Sequence, residues 1–306
     1  MSKAVKARRP QISVIVPIFN EDLNVLPLAK EISNSLKSVG LSWECIWVND
    51  GSTDESGRQI DSLPWPHRSV HHPKNLGQSR SIGSGISTSR GKLIVTLDGD
   101  GQNDPNDIPR MLELLGSDYD LIQGQRLDRQ DKYLRTKLSQ IANLIARKML
   151  KSKFSDLGCS LRIVRREFLK GIEFIGEVHR VLAFHIESNG ARVCEVEVNH
   201  RPRINGKSKY GYNRIFKFIL DLVLLNFLLR FREKPLYYFG ILGFITITIG
   251  SISVITAFIL RLIEIKSYLD SSLIVGGIIM IINSVLFIGM GLLGEIVTRT
   301  NSSESK

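Results

Sequence analysis

Leu93-Ile94-Val95-Thr96-Leu97-Asp98-Gly99-Asp100-Gly101-Gln102 reads as a buried strand that ends abruptly in oxygen-bearing side chains. The apolar and β-branched run suits a strand covered on both faces. Behind it, Asp98, Asp100 and Gln102 place oxygen ligands at alternate positions, and the intervening glycines let the backbone come close to a ligand. An open α/β sheet presents its functional groups at the carboxyl ends of its strands. A hard divalent cation, Mg2+ or Mn2+, held by few carboxylates and completed by substrate phosphates, is the expectation from this pattern.

Similar runs lie on either side. Ile12 to Pro17, Glu44 to Asn49, Ser69 to His72 and Leu121 to Gln125 are short and apolar or β-branched, which is the rhythm of an α/β sheet. The first two also end in polar groups, Asn20 with Glu21 and Asn49 with Asp50. Between them Val25, Ala29, Ile32 and Leu36 recur at helical spacing. Pro105 follows Asn103 and Asp104 as a helix start.

Other nucleotide or metal motifs fail on single residues. An EF-hand loop begun at Asp98 would have Asn103 at its glycine position and Pro109 at its glutamate position. Gly206-Lys207-Ser208 resembles the end of a P-loop, but Arg201 replaces the first glycine. Gly83 and Gly85 start a G-x-G-x-x-G that Thr88 breaks, so these small residues are read as helix packing. Cys45, Cys159 and Cys194 lie far apart with no metal spacing, so neither a disulfide nor a zinc site is expected.

The chain has 306 residues, 43% of them hydrophobic, and a formal net charge of +11. The apolar residues are unevenly distributed. Leu236 to Leu260 and Ser271 to Gly294 contain no charge, and each meets the roughly 20-residue requirement for a membrane helix. Lys207, Lys209, Arg214, Lys217, Arg230, Arg232 and Lys234 precede the first of them, whereas the connecting loop has only Arg261 and Lys266 against Glu264 and Asp270. This bias puts the large domain and both termini in the cytoplasm. The basic residues gather near the bilayer without a nucleic-acid motif, so anionic lipid and phosphate substrates are expected and nucleic acid is not.

The resulting division is a basic tail over 1–10, a catalytic domain over 11–211, a juxtamembrane amphipathic helix over 212–234, membrane helices over 235–262 and 271–297 joined by an external loop over 263–270, and a tail over 298–306. In the amphipathic segment, Arg214, Lys217 and Asp221 mark one face of an otherwise apolar helix.

Four ordered motifs, Val14 to Glu21, Asn49-Asp50-Gly51-Ser52-Thr53-Asp54, Asn75-Leu76-Gly77 and Asp98 to Gln102, resemble family 2 glycosyltransferases of GT-A fold. Gly176-Glu177-Val178-His179-Arg180 and Asn199-His200-Arg201-Pro202-Arg203, continuing through Gly206 to Gly211, narrow the resemblance to the dolichol- and undecaprenyl-phosphate branch. It implies inverting transfer of a hexose, from a UDP-glucose or GDP-mannose type of donor, to polyprenyl phosphate at a bilayer, and a homotetramer as the assembly. It further implies that Pro17, Phe19, Glu21, Val48 and Asp50 cradle base and ribose, with Asp50 accepting from a base N–H. Asp98, Asp100 and Gln102 would bind the metal, with Gly99 beside the donor, and Arg80 and Arg126 would face the donor phosphates or sugar. Asp156 is the carboxylate expected near sugar or acceptor, or alternatively a helix cap. Glu177, His179, Arg180 and Ser208 are expected to face the acceptor, and Arg201, Arg203, Lys207 and Lys209 to clamp its phosphate. A polysaccharide synthase of the same fold is disfavoured: two spans are too few for a channel, and Trp43, Trp47 and Trp65 do not form its Gln-x-x-Arg-Trp motif. Intact Asp98, Asp100 and Gln102 argue against an inactive nucleotide-sugar-binding scaffold.

Overall fold

The computed structural model describes residues 10–116, 118–126, 154–156, 158–202, 220, 223, 224, 227, 231, 234–263 and 268–304. They fall into two compact units, divided between Asp221 and Leu222.

The first unit is built on a seven-stranded sheet of order β3-β2-β1-β4-β6-β5-β7. Its strands are β1 (Ile12–Ile18), β2 (Trp43–Asn49), β3 (His67–His71), β4 (Leu93–Thr96), β5 (Leu121–Arg126), β6 (Arg162–Arg165) and β7 (Val193–Val198). β1 to β4 pair parallel with one another, and β5 pairs parallel with β7. β6 runs antiparallel between β4 and β5. The inserted β6 leaves the ends of β4 and β5 one strand apart on the same side of the sheet, and the candidate site is built there.

The helices are α1 (Asp22–Lys37), α2 (Ser56–Ser62), α3 (Gln78–Thr88), α4 (Asp107–Leu115) and α5 (Val178–Ser188). In α1 the expected stripe is buried as Val25, Leu28, Ala29, Ile32 and Leu36, contributing to a core with Val14, Val16, Trp47, Val95 and Ile163. Burial of each large aliphatic side chain in such a stripe stabilises by roughly 1.5–3 kcal/mol. α3 is rich in small residues and lies close to the sheet. A Cβ on Gly85 would strike Ile15 and come within 3.2 Å of Val48, and one on Gly83 would lie 2.8 Å from Phe174. Pro105 precedes α4 by two residues rather than starting it, because its carbonyl accepts from Ile108 N–H and from the Ser35 hydroxyl.

The second unit contains α6 (Pro235–Leu262) and α7 (Tyr268–Glu304). Both are long and apolar enough to cross a membrane. They pack closely where small residues meet at heptad spacing, Gly243 against Ser284 and Gly250 against Gly277. A Cβ on Gly250 would lie 2.7 Å from the Gly277 carbonyl oxygen, and one on Gly277 2.8 Å from that of Gly250. The backbones therefore touch, as small-residue contacts between membrane helices allow. Phe244, Phe258, Val285 and Leu293 point outward, an apolar surface that water does not favour. Most of the expected amphipathic helix over 212–234 lies outside the described residues.

Candidate active site

The ends of β1 and β2 are laced together by short polar side chains. Asn20 adopts a left-handed φ of 54°, tolerable for asparagine, and its Oδ1 accepts from Thr53 N–H at 2.8 Å. Ser52 Oγ accepts from Asn20 N–H and Ser56 Oγ from Glu21 N–H. Glu21 also accepts from the Asn24 amide at 2.7 Å. Pro17 and Phe19 are half-buried here, while Val48 is fully buried in the sheet.

Asp50 is buried and heavily engaged. Its carboxylate accepts from Leu76 N–H at 2.9 Å and Gly77 N–H at 2.8 Å and pairs with His72 Nδ1 at 2.7 Å. A carboxylate offers about four lone-pair sites, and these donors account for three of them. Gly51 can only be glycine here: its φ is +71°, and a Cβ would lie 2.7 Å from Asn75 N.

At the end of β4, Gly99 crosses directly over β1. A Cβ there would strike Ile18 and lie 2.8 Å from the Pro17 carbonyl oxygen. The close approach holds Asp98 and Asp100 on either side of the crossing. Asp98 accepts from the Gln78 amide, and Asp100 Oδ1 accepts from Gln102 N–H at 3.1 Å. Burial and the neighbouring Asp100 charge push the Asp98 carboxyl up to about 6, opposed by the Ser160 hydroxyl, Arg126 and Arg162.

Two carboxylates that resist sharing negative charge, with an amide beside them, suit a hard dication. The Gln102 amide N–H is directed at the Arg201 carbonyl, which leaves its oxygen as the acceptor. Among the described residues there is no group of three or more His, Cys, Asp and Glu to hold a metal. The donor set fits Mg2+ or Mn2+ completed by phosphate oxygens and water rather than a closed zinc site.

Gln102 also joins the site to the chain beyond β7. Arg201 N–H donates to the Gln102 carbonyl at 2.8 Å, next to a bridge between Asn103 and His200. The Arg201 side chain was expected to clamp phosphate. Its fork instead pairs with Glu31 and Asp104, each at 2.8 Å, so in this conformation it straps the segment to the sheet domain. Arg203, Lys207, Ser208 and Lys209 lie outside the described residues.

Beside Asp98, Arg126 at the end of β5 makes a forked pair with Asp156, Nε at 2.7 Å and Nη2 at 3.0 Å. This partnership holds the guanidinium charge above its ordinary pKa despite burial. Asp156 therefore orients Arg126, and neither of its oxygens is left without a donor. Glu195 on β7 fixes the loop from below, accepting from the N–H groups of Ser155 and Asp156, both at 2.9 Å. Glu195 was not anticipated, since it is one of the polar positions in an alternating strand. Arg162 was not anticipated either. Its side chain is buried, donates to the Cys159 carbonyl, and has no hydrogen-bond partner for Nε or Nη1 among the described residues; burial lowers it to about 10.

The remaining expected residues lie on α3 and at the start of α5. Arg80 is exposed on α3. Glu177 accepts from Arg180 Nε at 2.6 Å and lies 3.7 Å from His179 Nε2. His179 is buried against Ser79 of α3, whose hydroxyl is 2.9 Å from the ring Nδ1 and accepts from the His179 N–H at 3.1 Å.

A parallel sheet with its paired carboxylates at the end of β4, an inserted antiparallel strand and a metal-compatible donor set defines a GT-A glycosyltransferase. The chain belongs to glycosyl transferase family 2, whose family pattern matches residues 13–172. Within it the chain falls in the polyprenyl-phosphate branch. It is 35% identical over 305 residues to the dodecaprenyl-phosphate galacturonate synthase of Rhizobium johnstonii, covering 95% of this chain and 88% of that protein. It is 31% identical over 293 residues to the undecaprenyl-phosphate 4-deoxy-4-formamido-L-arabinose transferase of Aeromonas hydrophila, covering 94% and 88%. Among solved structures, glucosyl-3-phosphoglycerate synthase from Mycobacterium tuberculosis with phosphoglyceric acid has a TM-score of 0.55 at 18% identity, covering 70% of this chain and 79% of that one. The same enzyme with Mn2+, UDP-glucose and phosphoglyceric acid has a TM-score of 0.54 at 17% identity, covering 71% and 80%. These two comparisons concern the fold.

Proposed function

We propose that this glycosyltransferase moves a sugar from a nucleotide-sugar donor to polyprenyl phosphate at the cytoplasmic face of a membrane, with inversion at the anomeric carbon. The observation that carries this reading is the backbone pairing of Gln102 with Arg201, which ties the Asp98–Asp100 end of β4 to the segment leading into the basic loop. From Arg201 the sequence runs on to Arg203, Lys207 and Lys209, the cations expected to meet the acceptor phosphate.

The acceptor phosphate is the nucleophile. A phosphate monoester has a second pKa of about 6 and is largely dianionic at neutral pH, so it needs no strong protein base. Its oxygen forms a bond to the anomeric carbon as the bond to the diphosphate oxygen breaks, and the electron pair leaves with the nucleoside diphosphate. Mg2+ or Mn2+ held by Asp98, Asp100 and Gln102 would offset the charge on that leaving group. Arg126, oriented by Asp156, supplies a fixed positive charge toward the donor phosphates or sugar, and Pro17, Phe19, Glu21 and Val48 shape the nucleoside end. Glu177, His179 and Arg180 face the acceptor, with Arg203, Lys207, Ser208 and Lys209 supplying further contacts to its phosphate. Arginine suits such contacts because its planar fork can hold two oxygens.

A hexose donor of UDP-glucose or GDP-mannose type is our reading from the motifs, and the relatives named for galacturonate and formamido-arabinose extend the panel to acidic and amino sugars. Purified protein incubated with polyprenyl phosphate and each radiolabelled UDP- or GDP-sugar should convert one donor to labelled lipid well ahead of the rest. Donor binding without label in lipid for any sugar would favour a binding scaffold instead. The proposed topology puts both termini in the cytoplasm and residues 267–270 outside. A Ser267→Cys variant should react with an impermeant thiol reagent in intact cells, and protection there would reverse the assignment.

A further inference from the structure

The first turn of α3 touches both halves of the site. Gln78, its first residue, donates its side-chain N–H to Asp98 Oδ1. Ser79, the next, binds His179 twice, through its backbone N–H and its ring Nδ1. The backbone contact has a further meaning. α5 begins at Val178 and its N-cap residue, Glu177, makes no side-chain capping bond. Ser79 therefore satisfies one of the amides that a helix start leaves unpaired, from a residue a hundred positions earlier in the chain.

α3 itself is held firmly. Asp50 fixes the turn before it through Leu76 and Gly77, and His72 bridges Asp50 to Ser84 in the middle of the helix, with Nε2 2.9 Å from the Ser84 hydroxyl. Gly85 brings its backbone against β1 and β2. A helix anchored at its entry, middle and flank can fix side chains on its first turn with little freedom.

Resting on the glycosyltransferase reading above, we propose that Gln78 and Ser79 are positioning residues that register the metal-binding carboxylate against the acceptor-facing helix. Gln78 sets the rotamer of Asp98 by holding its Oδ1, the orientation in which the carboxylate would meet a cation. Ser79 sets the start of α5 and the ring of His179, so that Nε2 is directed toward Glu177. Two adjacent residues on one rigid turn thereby fix the distance between donor and acceptor, and reacting atoms held within a narrow range of separations account for large rate effects.

Each residue has its own readout. Mn2+ binding to the full-length protein with UDP present and no acceptor, followed by electron paramagnetic resonance of free Mn2+, should weaken about tenfold in Gln78→Met, the scale of one hydrogen bond to a charged group. Ser79→Ala should bind Mn2+ like the parent, yet raise the KM for polyprenyl phosphate about tenfold at the same scale. The Ser79→Ala/His179→Ala double variant should lose less than the product of the two single losses, because both substitutions remove the ring contact and only Ser79→Ala also removes the backbone one. Gln78→Leu, which keeps the bulk of the side chain without its amide, replaces the methionine variant should that one fail to fold. Parent-like Mn2+ binding in the Gln78 variant, or additive effects at Ser79 and His179, would overturn the proposal. The Mn2+ arm needs no sugar transfer, so a parent protein inactive on polyprenyl phosphate would refute the functional reading and leave the Gln78 result to be judged separately.

Discussion

Asp100→Asn is expected to abolish transfer in a protein that stays folded. Loss of a dication's stabilisation of the leaving group removes several kcal/mol, so turnover should fall about a thousandfold or more. The fold should survive because asparagine keeps the size of the side chain, and replacing one of two mutually repelling carboxylates relieves repulsion rather than adding it. Chelation of the parent should have the same effect. Full turnover in excess chelator would contradict the metal assignment.

The same carboxylates give this prediction a pH signature. Asp98 is raised to about 6 from an ordinary 3.8, so between those values the folded protein binds more protons than the unfolded chain. Stability without metal should therefore fall as pH rises through that window. Cation binding needs the ionised carboxylates, so the rise in unfolding temperature on adding Mn2+ should be small at pH 5 and grow as the pH passes about 6. A stabilisation by Mn2+ that is independent of pH across this range would count against Asp98 as a ligand.

Asp156→Ala is expected to cost both stability and activity, and the way the losses combine separates positioning from chemistry. Removing one partner of a buried ion pair leaves the other charge uncompensated, typically 3–5 kcal/mol. The Arg126 side chain is 18% exposed and that of Asp156 is 5% exposed, so water relieves part of this and about 3 kcal/mol is expected. If Asp156 acts through Arg126, then Asp156→Asn and Arg126→Gln should each lower transfer by similar factors, and the double variant should be little worse than either. A double variant in which the two losses multiply would instead give Asp156 a separate role at the sugar or acceptor. Unfolding midpoints measured alongside would keep the two effects apart.

Much of this architecture was legible in the sequence because local and global signals agreed. The apolar runs before Asn20, Asp50 and Asp98 formed β1, β2 and β4, and the stripe from Val25 to Leu36 formed the buried face of α1. The small residues at Gly83 and Gly85 served helix packing, as their spacing suggested. The uncharged segments formed α6 and α7, with α7 running past the expected end into Glu304. β6 and β7 were missed for physical reasons. Arg162-Ile163-Val164-Arg165 has a charge at each end and resembles a surface segment, yet lies between β4 and β5 with Arg162 buried.

The site was legible in residue type and less so in partnership. Asp98, Asp100, Gln102, Arg126 and Asp156 converge on one region, but nothing local signals that Arg126 and Asp156 bind each other or that Glu195 supports them. Arg201 shows the limit most clearly. Its position in a basic segment suggested a phosphate ligand, whereas the fold brings Glu31 and Asp104 to its fork. Gln78 and Ser79 carried no sequence signal, because two polar residues after Asn75-Leu76-Gly77 resemble any helix start until Asp98 and His179 are seen against them.

The central claim is that a nucleotide-bound sugar is transferred to a lipid-linked phosphate, and the most direct measurement follows the label. Full-length protein in lipid, given its preferred labelled nucleotide sugar and Mn2+, should move label into the organic phase when polyprenyl phosphate is supplied and not when the corresponding polyprenyl alcohol replaces it. Release of nucleoside diphosphate should match the lipid product one for one. Equal labelling from the alcohol, or nucleoside diphosphate released without a labelled lipid, would contradict the account.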